Sequence, residues 1–336
     1  MKSKSTLSEE QIRPKNLIKR IKKSIINDQN FLLKRKKKFK KVNCPACNNR
    51  RNYFYLKKNG FNYLICRSCK TFFVSPRPSP KILDEFYRSS KVYKFFNEFI
   101  FPQTELSRSK KIVKPRLDKL IKLMGKYKLK MPSLIEIGPG YGTFCQLAKK
   151  SKKFSSIIAV EPSKDGYLNC KKKNIEVYQN TIENFKIKKK FDLVVNFEVI
   201  EHLFSPKIFL SSMKKLLKKN GFVIFTCPNG MGFDIQLLMK QSDSIDHEHL
   251  NYFNPKSVEK LLNNCGFKLI EVFTPGLLDV DIVRNKVLEG NFNLEKNNFL
   301  KDIIIDNYRD KGQKFQKFLT ENCLSSNMWV IARNKQ

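Results

Sequence analysis

The chain has 336 residues, of which 67 are Lys or Arg and 30 are Asp or Glu, for a net charge of +37. That is long enough for one large or two modest domains with a real core, and short periodic blocks of Leu, Ile, Val and Phe exclude global disorder. No apolar run reaches the roughly 18 to 20 residues needed to span a bilayer, and the first residues lack the apolar stretch of a signal peptide, so a soluble cytoplasmic protein is expected.

Only 13 of the 67 basic residues are Arg. Lys is a point charge, whereas Arg suits bidentate phosphate recognition, so most of the charge reads as scattered solvated lysines, with a polyanion site as the alternative. Ten of the 13 arginines lie at or before Arg116 and none between Leu117 and Val283, which assigns any phosphate-facing surface to the N-terminal third.

In chain order, residues 1–42 form a basic arm. Leu17, Ile18, Ile21, Ile25 and Ile26 are spaced as on an amphipathic helix, and the run from Lys34 to Lys41 reads as a solvated segment. A poorly ordered tail is the alternative, and deleting the arm is expected to leave turnover of a small acceptor largely intact.

Residues 43–79 hold Cys44, Cys47, Cys66 and Cys69 as two C-x₂-C knuckles separated by 18 residues. Four thiolates at this spacing close a tetrahedron around Zn²⁺ and leave no open position, so the metal is expected to be structural; the same set would also hold iron. Between the knuckles, Tyr53–Leu56, Asn59-Gly60 and Tyr63–Ile65 read as a hairpin, completing a zinc ribbon. The other five cysteines (Cys145, Cys170, Cys227, Cys265 and Cys323) read as small buried hydrophobes.

Residues 80–131 are helical, around 81–99 and again from about 104 to 127. From Ser133 the pattern becomes short β-branched runs alternating with helical segments. Strands are expected at Leu134–Ile137, Ser156–Glu161, Glu176–Asn180, Phe191–Phe197, Phe222–Thr226, Lys268–Phe273 and Met328–Ala332. Such alternation builds an α/β fold, Rossmann-like, with a mostly parallel sheet and helices on both faces.

A strand runs into Gly138, Gly140 and Gly142, and a helix starts at once; glycines here allow a tight turn and let a ligand touch backbone. Glu161 ends the next strand, where it can accept the hydroxyls of a ribose. Glu136, two residues ahead of the loop, suits a cofactor carrying an ammonium better than one carrying a pyrophosphate.

With Phe191–Leu203 and Leu217–Asn229 in order behind this loop, the chain resembles the class I S-adenosylmethionine-dependent methyltransferases over roughly 132–333. The resemblance implies a seven-stranded sheet whose last strand is antiparallel and inserted beside the sixth. It implies a core at 132–275, with a helical insertion and the final strand at 276–336. It also implies that Gly138, Gly140, Gly142 and Glu136 lie at the cofactor's methionine end and that Glu161 holds the ribose. Asn180, Thr181 and Ile182 would flank the adenine, and Phe197 and Glu198 would lie near the sulfonium. His202 belongs to the family's E-H dipeptide, with a helix-start residue tied to backbone as the alternative. The ribbon, its exit through Ser75–Pro80, and His247–Ser257 look like those of bacterial sugar and surface-glycan methyltransferases.

Base candidates for removing an acceptor proton are few. His247 and His249 precede an Asn-Pro helix start, and alternation along an extended segment would put both imidazoles on one face, with Tyr252 as a third candidate. The alternative is that the pair orders its loop, and a metal role is disfavoured because no further cluster accompanies it in sequence. Asp279, Asp281, Arg284 and Asn285 open the insertion and suit sugar hydroxyls or a phosphate. The expected acceptor is a small molecule, a sugar or nucleotide-linked sugar. The alternative is RNA, held by the ribbon and the arm.

Overall fold

The computed structural model describes residues 7–335; the first six residues of the arm lie outside it. Two sheets organise the chain. In the large sheet β4 (Ser133–Ile137), β5 (Ser156–Val160), β6 (Glu176–Tyr178), β7 (Phe191–Phe197), β8 (Leu217–Pro228), β10 (Phe267–Phe273) and β11 (Asn327–Asn334) take the order β10-β11-β8-β7-β4-β5-β6. β4 is buried along its whole length, as expected of a strand covered on both faces. β11 runs antiparallel between β8 and β10, and every other pair with a shared ladder is parallel. The chain builds outward from β4 to β6, then returns to place β7 on the other side of β4. The loops leaving the carboxyl ends of β4 and β7 therefore diverge and open a crevice.

Helices α6 (Thr143–Ser151), α7 (Lys164–Lys172), α8 (Pro206–Leu216) and α10 (Pro255–Asn264) make the crossovers. Ser163, Ser205 and Asn254 cap the last three by accepting backbone N–H groups. α11 (Asp279–Leu288), α12 (Asn298–Lys301) and α13 (Gln313–Glu321) share one apolar cluster with α9 (Phe233–Leu238), which lies ahead of the 276–336 segment, and form a helical cap.

The small sheet is β1 (Asn52–Lys58), β2 (Phe61–Cys66), β3 (Phe72–Val74) and β9 (Asn251–Tyr252). Asn59 and Gly60 both have positive φ, +49° and +81°, the two-residue turn expected of Asn-Gly. Its fourth strand, however, comes from the loop beyond β8, not from residues 43–79. Cys44, Cys66 and Cys69 are buried in the same cluster as Val258 and Leu261 of α10, so the ribbon is joined to the core rather than appended to it.

α1 (Lys15–Leu33) stands where the amphipathic helix was expected and buries Leu17, Ile21, Asp28 and Leu32 along one face, while Lys34, Lys36, Lys37, Lys38, Lys40 and Lys41 beyond it are exposed. Leu17 and Ile21 pack with Val92 and Ile100, and Leu32 packs with the ribbon's Leu56 and Phe61.

The two helical stretches expected between 81 and 127 are present, but the break between them falls at Ser90, after α2 (Pro80–Ser89), and the chain is helical without a break from Lys91 to Lys126. α3 (Lys91–Phe95), α4 (Phe101–Arg108) and α5 (Lys114–Lys126) are joined by π turns at Phe96–Ile100 and Ser109–Val113. Pro102 and Pro115 each follow such a turn, and the wider turn accommodates the ring that would otherwise meet the carbonyl four residues back.

Candidate active site

The crevice at the carboxyl ends of β4, β5 and β7 opens into a cleft of ≈ 2530 Å³, whose lining also takes in residues of α1, the α2–α4 helices and α11. Glu136, Gly138, Gly140, Glu161, Asn180, Thr181, Ile182, Phe197 and Glu198 all line it. Gly138, Gly140 and Gly142 share the left-handed backbone, at φ +71°, +54° and +75°, but their free sides differ. A Cβ on Gly138 would meet Val199 at 2.9 Å and one on Gly142 would meet Cys170 Sγ at 2.9 Å, whereas one on Gly140 would meet nothing within 4 Å. The free side of Gly142 is thus filled by Cys170, outside the cleft lining, and Gly140 faces the space a ligand would fill.

Glu161 fixes this loop. One carboxylate oxygen accepts the Gly140 N–H at 3.0 Å, and the other accepts the Ser163 N–H at 2.9 Å and hydroxyl at 2.6 Å. Gly166 went unnoticed in the sequence, yet a Cβ there would lie 2.8 Å from the same carboxylate. Glu136 is 3% exposed. Burial pushes its carboxyl up to about 7, against the opposing hydrogen bond from the Cys145 thiol at 2.9 Å and the charge of Arg116. Arg116, also missed, lies 5.1 Å over the Phe197 ring and donates to Glu198 at 3.2 Å. Glu198 sits at φ +56° and accepts further hydrogen bonds from Thr226 and Asn327. Asn180 accepts the Thr181 N–H at 2.9 Å, and Ile182 is buried against the cleft wall.

All three histidines of the chain are among the residues lining this cleft. The segment 243–248 is made of turns and bends rather than extended backbone, so the expected common face for His247 and His249 does not exist. His249 joins Asp246 through a 3.1 Å ion pair and lies 4.7 Å, ring to ring, from His202. Burial alone would lower its pKa, but the Asp246 charge and hydrogen bond carry it up to about 10. The Asp246 contact favours the protonated ring, which weighs against the expected role as a base.

His202 Nδ1–H donates to the Glu248 carbonyl at 3.2 Å, which fits the backbone-tie alternative, and burial lowers its pKa to about 3. His247 is 4% exposed, edge-on to Phe86, and neither ring nitrogen has a hydrogen-bond partner among the described residues. Tyr252 is wholly buried outside the cleft; its hydroxyl donates to the Ser244 carbonyl at 2.8 Å and accepts the Asp246 N–H, so it holds the loop and is not a base. Further clusters do accompany the histidines, against the expectation. Glu201, His202 and His249 converge, as do Asp28, His247 and Glu248. Nothing in the local sequence announces Asp28, which reaches the loop from α1.

The four cysteine sulfurs converge as expected of a metal centre: all lie within 4.8 Å of one another, with Cys44–Cys69 at 3.4 Å and Cys47–Cys66 at 3.6 Å. Hydrogen bonding from Cys44 pulls the Cys69 thiol down to about 4. Of the remaining cysteines, four are buried as expected and Cys323 is half-buried. In the cap, Asp281, Arg284 and Asn285 line the cleft. Asp279 instead is buried and accepts from Ser325 and Gln316, a tie between the cap and β11.

The family model for a methyltransferase domain matches residues 109–272. Six of the seven strands of the large sheet lie in that segment (β10 to within one residue) and β11 completes the sheet beyond it; the domain is that of a class I S-adenosylmethionine-dependent methyltransferase. Among curated proteins, the chain is 31% identical over 111 residues to a ubiquinone biosynthesis O-methyltransferase of Pelagibacter ubique, covering 30% of this chain and 44% of that enzyme. It is 25% identical over 178 residues to the enzyme of the same name from Rickettsia canadensis, covering 50% and 74%. The chain thus spans less than half the length of the first of these relatives. A solved S-adenosylmethionine-dependent methyltransferase from Clostridium acetobutylicum is 13% identical, with a TM-score of 0.46, over 72% of this chain and 99% of that one. No helix among the described residues is long and apolar enough to cross a membrane.

Proposed function

We propose that the protein transfers a methyl group from S-adenosylmethionine to a small hydroxyl-rich acceptor, a sugar or nucleotide-linked sugar, bound between the histidine loop, α1 and α11. The lining of the cleft carries this reading. Fourteen of the 30 acidic side chains line it against 13 of the 67 basic ones, so the cleft is charge-balanced on a chain of net +37. Carboxylates accept from sugar hydroxyls, and Arg284 and Arg13 are at hand for a phosphate. A groove for RNA would instead gather cations along its floor.

The residues present fit the cofactor. Gly140 offers backbone with free space beside it, Glu136 is a carboxylate for the ammonium, Glu161 stands at the loop for the ribose, and Asn180, Thr181 and Ile182 form the far wall. When bound, S-adenosylmethionine supplies an electrophilic methyl on a sulfonium whose thioether leaves without a proton. Phe197 and Arg116 shape the space above the Glu136 end and keep water from it. His249, held at Nδ1 by Asp246 and the Ser244 carbonyl, offers Nε2 as a hydrogen-bond donor to an acceptor oxygen. Zinc in the Cys44, Cys47, Cys66 and Cys69 site would be structural.

Full-length protein incubated with labelled cofactor and separate pools of nucleotide sugars, phenolic quinone precursors and RNA tests the assignment by where the label appears. Label in the sugar pool, lost in Gly140→Val, is the expected outcome. Label confined to the phenolic pool or to RNA would replace the acceptor.

A further inference from the structure

We propose that Asp28, His247 and Glu248 form a binding site for a divalent transition-metal ion, beside the proposed acceptor site and separate from the four cysteines. One carboxylate oxygen from each acid and one ring nitrogen of His247 lie within 4.8 Å of one another. Ligands held about 2.0 to 2.2 Å from a metal stand roughly 3 to 4.3 Å apart, so rotamer adjustments of a few tenths of an ångström close the shell.

The second observation is His247 itself. Its ring is buried in the cluster with Nε2 3.7 Å from Glu248 Oε1, and both nitrogens lack a hydrogen-bond partner among the described residues. An orphaned buried imidazole is costly unless something outside the protein satisfies it, and a metal takes one nitrogen directly.

The charges point the same way. Buried Asp28 and the partly buried Glu248 and Asp246 bring three carboxylates into one neighbourhood. His249 is committed to Asp246, and among the described residues no Lys or Arg pairs with Asp28 or Glu248. A dication offsets that repulsion.

Asp28 is also held ready. One oxygen accepts the Lys91 N–H at 2.9 Å, and the other accepts the Ser90 hydroxyl at 2.6 Å and the Val92 N–H at 3.0 Å. Such outer partners orient a ligating carboxylate without using all its lone pairs. One imidazole with two carboxylates favours ions of intermediate hardness, Mn²⁺, Fe²⁺ or Zn²⁺, over an all-oxygen Ca²⁺ or Mg²⁺ site. Since His247 and Glu248 line the cleft, the ion would stand where an acceptor oxygen can reach it.

Mn²⁺ is the probe, because thiolates bind it poorly: zinc-loaded full-length protein is titrated with Mn²⁺ and followed by electron paramagnetic resonance and calorimetry. The expected result is about one Mn²⁺ per chain, weakened about tenfold to hundredfold in Asp28→Asn, His247→Gln and Glu248→Gln and unchanged in Glu201→Gln. Circular dichroism and cofactor affinity report whether each variant is folded. If Asp28→Asn loosens α3, the two loop variants decide. Absence of saturable binding in the wild type, binding that survives both loop variants, or loss in Glu201→Gln alone would overturn the proposal.

Discussion

Burial lifts the Glu136 carboxyl from about 4.5 to about 7, and neither the Cys145 thiol nor the Arg116 charge cancels it. A carboxyl raised on folding stabilises the native state fully below its unfolded value, and that contribution is lost as pH rises through about 7. Cofactor binding should run the other way, because only the ionised form receives an ammonium. Affinity for S-adenosylmethionine is therefore expected to fall by up to about tenfold per pH unit below 7, while the thermal stability of the free protein does not fall with it. Calorimetry between pH 6 and 8 checks this, and Glu136→Gln should flatten the profile; a wild-type affinity independent of pH would remove Glu136 from the ammonium. At this scale the glycine loop, Glu136 and Glu161 were legible because strand, turn and helix signals are contiguous. The split between Gly140 and Gly142 was not, since it depends on Cys170, which returns from α7.

Among the elements, β9 matters most for the site. It pairs with β3 of the ribbon through Phe72–Tyr252 and Phe73–Asn251, immediately after the histidine loop, and Asn254 donates to the Cys69 carbonyl at 3.0 Å. Arg77, wholly buried, donates to the Val74, Phe204 and Leu250 carbonyls and to Asn251, tying the ribbon exit to the same loop. Changing Cys44 and Cys47 together to Ser should therefore loosen the loop as well as the ribbon. Amide exchange at Leu250–Phe253 is expected to accelerate and acceptor turnover to drop about tenfold or more, with cofactor affinity within about twofold, because β4, β5 and β7 are untouched. Unchanged exchange there would separate ribbon from loop. The hairpin and its cysteines could be read from spacing and an Asn-Gly turn, but a two-residue strand about 180 residues from its partner carries no periodicity to read.

For the whole molecule, the positive charge lies mostly outside the cleft. Turnover of a small acceptor should accordingly change only about twofold between low and physiological salt, where screening lengths shrink to about 8 Å. The arm, however, is structural. Removing residues 1–41 takes away Leu17, Ile21 and Leu32 from two cores together with Asp28. Several kcal/mol is the expected cost, about 2 to 5 for each large buried side chain lost. Thermal unfolding and acceptor turnover check this: a truncated chain with unchanged melting and full turnover would return the arm to the status of a tail.

What the sequence determined by itself was everything encoded in short range. Strand and helix order from Ser133 onward, the glycine loop and the knuckle spacing follow from local periodicity, turn chemistry and motif order, and the antiparallel last strand from the family resemblance those motifs carry. The tertiary structure alone decided what meets across the cleft: α1 against the helices at 91–100, Asp28 beside His247, β9 in the ribbon sheet, and His249 paired with Asp246. Those depend on how amphipathic faces and buried charges find partners far apart in the chain, and one residue's spacing to the next does not carry that information.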